Sequence, residues 1–296
     1  MKTVVVTGGA SALGLESGLY LAERGFNVYA AIRDLRKADE IREAAEKRHV
    51  VLRTCQLDVT DGASIDSAIA QVVSEAGGIY GLVNNAAVGL RGCFEDLDDD
   101  EIRRVFEVNV FGTMAVTRRV LPHLRQAGSG RILTVTSVGG RVASFGLSAY
   151  CATKFGLEGF GEALALEVAP FGLKSILIEP GIINTPYWTV NRGTGRNALN
   201  PNSPYHAYFQ RHEEIADRIA ARSRTRTIEV ARAVHHALTA KNPRMRYVIG
   251  RPASIIIALR RYIPGELFDR LYFGLLVRSL TPRRGLARWL GPQRRA

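Results

Sequence analysis

Cysteine is scarce in this 296-residue chain, with three in all. Cys55, Cys93 and Cys151 lie far apart and have no metal-ligand spacing, so neither a disulfide framework nor a cysteine metal site is expected. They read as reduced thiols in or near the core. Long apolar runs are also missing. The strongest, Ser254 to Leu259, stops at Arg260 and Arg261, far short of the roughly 18 residues a membrane-crossing helix needs. No charged segment, apolar stretch and cleavage site precede Val4, so the protein is expected to start at or near Met1, in a reducing cytoplasm. Acids are rare at the C-terminal end. From Lys241 to Ala296, Glu266 and Asp269 stand against thirteen Lys or Arg, and that stretch holds +11 of the net charge of +12. The body is nearly neutral, so the basic signal is local. No internal repeat is visible.

Hydrophobic residues make up 46% of the chain, which excludes wholesale disorder. They fall into alternating strand and helix patterns. Strands are expected at Thr3–Val6, Asn27–Ile32, Val50–Gln56, Tyr80–Val83, Arg131–Thr136, Lys174–Ile178 and Tyr247–Ile249. Helices are expected at Leu13–Arg24, Leu35–Lys47, Ile65–Glu75, Asp98–Gln126, Ser148–Val168, Ile228–Thr239 and Ser254–Leu280. Such alternation predicts an α/β fold, a doubly wound parallel sheet with helices on both faces, because each parallel crossover needs a helix. Tyr187 to Pro204 breaks the rhythm with Asn, Gly and Pro and predicts a loop over a site. The organisation expected is one catalytic domain over 1–250, with a substrate lid over 187–223, and a basic amphipathic extension over 251–296.

The first strand runs into Thr7-Gly8-Gly9-Ala10-Ser11-Ala12-Leu13-Gly14 and then a helix. A glycine-rich turn there brings backbone N–H groups and a helix N-terminus to one point, which suits a pyrophosphate. An unliganded tight turn is the plainer alternative. The second strand ends Ala30-Ala31-Ile32-Arg33, where a dinucleotide fold meets the adenosine ribose. Ile32 cannot bond a 2′-hydroxyl; Arg33 can pair with a 2′-phosphate, unless Asp34 neutralises it. This favours NADP(H), with Ser11 as a second contact. Asp58-Val59 follows the third strand, and Asn84-Asn85-Ala86-Ala87 ends the fourth.

Tyr150 and Lys154 are four apart in Y-C-A-T-K and share a helix face. An ammonium beside a phenol favours the phenolate, so such a tyrosine can exchange a proton near neutral pH. Alone, the pair could be surface residues. Ser137 ends the fifth strand thirteen residues earlier, and Asn109 interrupts the apolar Val108–Val110. Asn is a poor helix-interior residue, so it either bonds locally or serves the site.

T-G-x-x-x-G-x-G, N-N-A, the set Asn109, Ser137, Tyr150, Lys154, and Pro180-Gly181-Ile182-Ile183-Asn184-Thr185 together resemble the short-chain dehydrogenase/reductase family over about residues 1–250. Ala12 and Ala87 stand where the family has glycine. Segments 28–35, 128–132 and 150–155 resemble its 17β-hydroxysteroid and retinol dehydrogenase branch. The resemblance implies a Rossmann-like NADP(H) site lined by Gly8, Ser11, Ala12, Leu13, Gly14, Arg33, Asp58, Val59, Asn85, Ala86, Tyr150, Lys154, Pro180, Gly181 and Ile183. It implies Tyr150 as general acid/base, Lys154 as its electrostatic partner, Ser137 on the substrate oxygen and Asn109 on a water relay. Asp58 would accept the adenine amino group. No metal is expected. It further implies an apolar ketone, aldehyde or alcohol substrate and a homodimer or homotetramer built through 98–126 and 148–168.

The substrate wall is expected from Val138, Gly139, Arg141, Val142 and Phe145 on one side. Tyr187, Trp188 and Tyr208, with Tyr205 and Phe209, are expected on the other. In the tail, Ile255, Ile256, Leu259, Ile263, Leu267, Leu271 and Leu275 recur at threes and fours among arginines. That pattern suits a helix on an anionic membrane, or a helix pair packed on the substrate side or on a dimer face. Nucleic acid is not an expected partner, since no recognition motif accompanies the charge. A cofactor-binding sensor without turnover is the alternative function.

Overall fold

A computed structural model describes residues 1–183 and 193–281. Seven strands form one parallel sheet: β1 Thr3–Thr7, β2 Asn27–Ile32, β3 Arg53–Gln56, β4 Gly81–Asn84, β5 Gly130–Val135, β6 Leu173–Pro180 and β7 Arg246–Ile249, in the order β3-β2-β1-β4-β5-β6-β7. The helices are α1 Ala12–Ala22, α2 Ala38–Glu46, α3 Gly62–Ala76, α4 Asp99–Phe106, α5 Thr113–Gln126, α6 Ser148–Val168, α7 His206–Arg222, α8 Thr227–Thr239, α9 Arg251–Tyr262 and α10 Gly265–Leu280. This is the doubly wound, Rossmann-like sheet expected from the alternation.

The three valines of β1 are fully buried, because helices cover both sheet faces. Val4 and Val6 point into one core with Val28, Ala30, Val83 and residues of α8. Val5 points into the other, with Tyr29, Leu82, Ile132 and residues of α3 and α5. Strand order reverses between β1 and β4, and ligands of open parallel sheets bind at the carboxyl ends of strands beside such a reversal. The ends of β1, β2, β4, β5 and β6 therefore frame the site.

Three expected elements differ. The single helix over Asp98–Gln126 contains a wider π turn at Glu107–Gly112 between α4 and α5. Residues 206–222, expected within a lid, form α7. Phe209, His212, Ala216 and Ala220 bury its inner face, and small or polar residues at those positions weaken the apolar signal. The single helix over Ser254–Leu280 is two, α9 and α10. Pro264 separates them, having no N–H to continue a helix and forcing Ile263 into extended backbone. No helix among the described residues is long and apolar enough to cross a membrane.

The C-terminal pair packs on the substrate side of the body. The Tyr272 hydroxyl donates to the Ala143 carbonyl at 3.3 Å, and Arg211 Nε donates to the Ser279 carbonyl at 2.7 Å. Phe268 and Leu280 are buried, whereas Ile255, Leu259, Tyr262, Leu267, Leu271 and Leu275 face outward.

Candidate active site

The turn after β1 is held by side chains that consume its loose ends. The Thr7 hydroxyl accepts from the backbone N–H of both Asn85 and Ala86 at 3.0 Å. The Asn85 amide nitrogen lies 2.9 Å from the Thr7 carbonyl, 3.2 Å from that of Gly8 and 3.0 Å from Ser11 Oγ. Asn85 thus joins the ends of β1 and β4. Ser11 caps α1, accepting from Gly14 N–H at 3.2 Å. Its hydroxyl hydrogen is left to donate outward. Thr7 was not singled out from the sequence, and its signal is its place as the last residue of a buried strand.

This turn fits a diphosphate. Gly8 has φ +63, and a Cβ there would meet Ala86 Cα at 2.9 Å; one on Gly14 would meet the Gly8 carbonyl oxygen at 2.3 Å. Only glycine at both positions lets the backbone fold this closely. Ala12 and Leu13 begin α1, whose first turn has no acid, so nothing opposes an anion at its N-terminus.

Arg33 stands exposed at the end of β2. Asp34 does not neutralise it: its carboxylate takes both guanidinium bonds of Arg36, at 2.9 and 2.8 Å, and the Arg36 backbone N–H at 3.0 Å. Those bonds hold Asp34 down at about 2. Arg33, Asp34, Leu35, Arg36 and Gln56 line an open depression of about 460 Å³. Asp58 follows β3. Partial burial opposes its ionisation, but the Thr60 backbone and hydroxyl donors, with Arg33 and Arg104, hold it below the usual aspartate range. Val59 is buried beside it. The cap of α3 belongs to Asp61, which accepts from Ala63 and Ser64 N–H.

Asn109 sits in the π turn, fully buried. Its Oδ1 accepts from Val88 N–H at 2.8 Å, and its Nδ2 donates to the Val88 carbonyl at 3.0 Å and to Thr153 Oγ1 at 3.2 Å. The side chain therefore ties the segment after β4 to α6. A π turn shifts the local hydrogen-bond ladder, a distortion common at functional sites.

Ser137 follows β5, its hydroxyl accepting from Gly139 N–H at 3.0 Å. A Cβ on Gly139 would lie 3.4 Å from Ser137 Oγ and 3.5 Å from Tyr150 Cε1, so both side chains border this glycine. Lys154 lies one turn beyond Tyr150, 2% exposed, with Nζ donating to the Val135 carbonyl at 3.0 Å and 5.8 Å from the Tyr150 ring centre. Burial pushes its pKa down to about 8, although the charge of Glu158 favours the ammonium. The fold thus gathers Ser137, Tyr150 and Lys154 at the end of β5, with Asn109 bracing α6 behind them. Pro180 and Ile183 are buried at the end of β6, and Gly181 N–H donates to the Ile249 carbonyl at 2.8 Å.

On the substrate side, Val138 is half-buried beside Gly139. The Phe145 ring lies 5.5 Å from His212 on α7. Phe209 is fully buried among Cys93, Ala198, Phe145 and Tyr205, whereas Tyr208 faces outward. A buried Arg91–Glu213 pair, 2.5 Å apart, ties the segment after β4 to α7. Tyr272 on α10, bonded to the Ala143 carbonyl, brings a further aromatic ring against the loop between Ser137 and Tyr150, as a C-terminal helix pair packed on the body does. Tyr187, Trp188, Asn184 and Thr185 lie outside the described residues. All three cysteines are buried and reduced; burial pushes Cys55 up to about 12 and Cys93 up to about 11, which makes them poor nucleophiles.

A sequence profile of the short chain dehydrogenase family matches residues 2–194. Human retinol dehydrogenase 5 is 37% identical over 284 residues, 90% of this chain and 86% of its own. Human 17-beta-hydroxysteroid dehydrogenase type 1 is 36% identical over 254 residues, 82% of this chain and 76% of its own. Among solved structures, a short-chain dehydrogenase from Streptomyces avermitilis superposes with a TM-score of 0.77 at 30% identity, covering 95% of this chain and 99% of that one. The paired turn and the Ser137–Tyr150–Lys154 cluster therefore sit on the expected scaffold, and the chain belongs to the short-chain dehydrogenase family, an oxidoreductase family that uses a nicotinamide cofactor, resembling its retinol and 17β-hydroxysteroid dehydrogenase branch.

Proposed function

We propose that this protein is an NADP(H)-dependent oxidoreductase that interconverts an apolar ketone or aldehyde with its alcohol. One observation carries the cofactor choice: Arg33 stands at the end of β2 with its neighbouring acid engaged by Arg36, where an acid would select the ribose 2′-hydroxyl and an arginine selects a 2′-phosphate. The turn Gly8–Gly14 holds the diphosphate, with Ser11, Ala12 and Leu13 at the N-terminus of α1. Asp58 and Val59 meet the adenine, Asn85 and Ala86 flank the inner ribose, and Pro180, Gly181 and Ile183 face the nicotinamide. When bound, the nicotinamide supplies or accepts the hydride.

The protein's own work is placement and proton transfer. Ser137 and Tyr150 donate to the substrate oxygen, which orients the carbonyl. Tyr150 gives its phenolic proton to that oxygen in reduction and takes it back in oxidation. Lys154, charged below about pH 8, favours the phenolate that remains. The Asn109 side chain uses both amide hydrogens and one lone pair on protein partners. It braces α6, and any relay water it serves uses the remaining lone pair or its main-chain carbonyl.

An apolar substrate suits the walls Val138, Gly139, Phe145 and Tyr272, and Tyr187 and Trp188 follow Ile183 closely in sequence. The test is titration with NADPH and NADH, then a panel of ketosteroids, retinals and aromatic ketones. Tighter NADPH binding with ketone-dependent oxidation supports the reading. NADH preference overturns the role of Arg33, and binding without turnover favours the sensor alternative.

The outward ridges Ile255–Leu259–Tyr262 and Leu267–Leu271–Leu275, interleaved with Arg260, Arg261, Arg270 and Arg278, favour a second association, with an anionic membrane surface. Sedimentation with phosphatidylserine vesicles at low salt, but not with phosphatidylcholine vesicles, is the expected result. Exposed Phe111, Phe155 and Leu166 on the helices spanning 98–126 and 148–168 support a homodimer through that face.

A further inference from the structure

Behind Lys154 lies a buried ionic cluster that the proton-transfer scheme above does not use. Glu158 follows Lys154 by one helical turn on α6, and its side chain is 8% exposed. Glu179, at the end of β6, is fully buried. Two arginines bridge the carboxylates. Arg246 Nε on β7 lies 3.1 Å from both Glu158 Oε2 and Glu179 Oε1. Arg141, on the segment joining Ser137 to Tyr150, lies 3.1 Å from Glu179 Oε1 and 3.9 Å from Glu158 Oε2. Arg246 also pairs with the more exposed Glu162. Glu158, Arg141 and Arg246 are the charged groups that act on Glu179 from α6, the loop after β5 and β7, and Lys154 acts on Glu158.

The cluster touches three parts of the site at once. Through Arg141 it anchors the loop that carries Val138, Gly139 and Phe145. Through Glu179 it adjoins Pro180 and Gly181, at the nicotinamide end. Through Glu158 it sets the charge beside Lys154. One oxygen of each acid, Glu158 Oε1 and Glu179 Oε2, is buried without a hydrogen-bond partner. Burial and each other's charge oppose ionisation of both acids, while Arg141 and Arg246 favour it.

We propose that Glu158 and Glu179 are positioning residues for the reaction: a buried, arginine-bridged carboxyl pair that holds the Ser137–Tyr150 loop through Arg141 and supports the ammonium of Lys154. The inference rests on the assignment of Lys154 and Tyr150 given above. Burial and the neighbouring Glu158 push the Glu179 carboxyl up to about 7, against the pull of Arg141 and Arg246. Glu179 is therefore protonated below that pH and ionised above it, within the range where Lys154 is still charged. Ionisation strengthens its hold on Arg141 and adds the third negative charge that balances Lys154, Arg141 and Arg246, with Glu158 and Glu162 supplying the other two.

The test uses full-length protein labelled with ¹³C at glutamate carboxyls, together with E158Q and E179Q. A carboxyl resonance titrating between pH 6 and 8, and lost in E179Q, is expected; a wild-type protein with every glutamate titrating below pH 5.5 overturns the change of charge assigned to Glu179. In kcat/KM profiles, E158Q should move the alkaline limb to lower pH by about half a unit to one unit, because it removes a negative charge near Lys154. E179Q, which imitates the protonated acid, should match wild type within twofold at pH 6 and show a several-fold higher KM at pH 8, with kcat less affected. Profiles parallel to wild type at every pH, lowered only in step with a lower Tm, would mark the cluster as structural and overturn the proposal. The carboxyl titration needs no turnover. If it appears while wild type turns over no carbonyl compound, the reductase assignment falls and not the carboxyl pair.

Discussion

The side proposed for the cofactor and the side proposed for the substrate are built by different means. Around β1, β2 and β4 the site is made of main chain. Glycines without room for a Cβ lie against Ala86 and the Gly8 carbonyl, and Thr7 and Asn85 lock two strand ends together. Around α7 and α10 it is made of side chains. There Phe145, Phe209 and Tyr272 pack, and a buried Arg91–Glu213 pair ties helix to loop. A backbone-built site fixes one ligand group closely. A side-chain wall can be rebuilt to take another substrate without disturbing the fold.

The largest break in that comparison should come from Phe209→Ala. The ring is fully buried in a small satellite cluster, and truncation there should cost about 3–5 kcal/mol, read by denaturant unfolding. Nucleotide affinity measured in the folded state should change little. The reverse pattern should follow Gly14→Val. Its Cβ would press on the Gly8 carbonyl at 2.3 Å, a strain of about 1–3 kcal/mol, and nucleotide binding should fall well over tenfold in a fluorescence titration. More selective is Arg33→Ala. Loss of one charge-assisted contact of about 1.5–3 kcal/mol should weaken NADPH binding roughly ten- to hundredfold and leave NADH binding within twofold. Equal weakening of both would show that Arg33 does not read the 2′ position.

The same division governs how much could be read from sequence. The parallel sheet was legible, because Val4–Val6, Val28–Ile32 and Ile176–Ile178 are dense apolar runs buried on both faces and the segments between them have helical spacing. The Ser137–Tyr150–Lys154 cluster and Asn109 could be picked out because a tyrosine and a lysine on one helix face, a serine at a strand end and an asparagine in an apolar helix are each costly or conspicuous there. The π turn around Asn109 was not, since a shift of the hydrogen-bond ladder over a single turn has no residue signature of its own. Nor was α7, whose buried face uses His212, Ala216 and Ala220. Long-range pairing hid the rest. Arg141, Glu158, Glu179 and Arg246 lie in four different elements, and nothing in the local pattern around any of them announces that the fold brings them together.

The account rests on Tyr150 as the proton donor and acceptor. Its most direct test is Tyr150→Phe, with NADPH affinity and ketone turnover measured on the same preparation. Nucleotide binding within twofold of wild type, with turnover reduced by about 10²–10⁴-fold, is the predicted result. Turnover near the wild-type rate would contradict the assignment and the mechanism drawn from it.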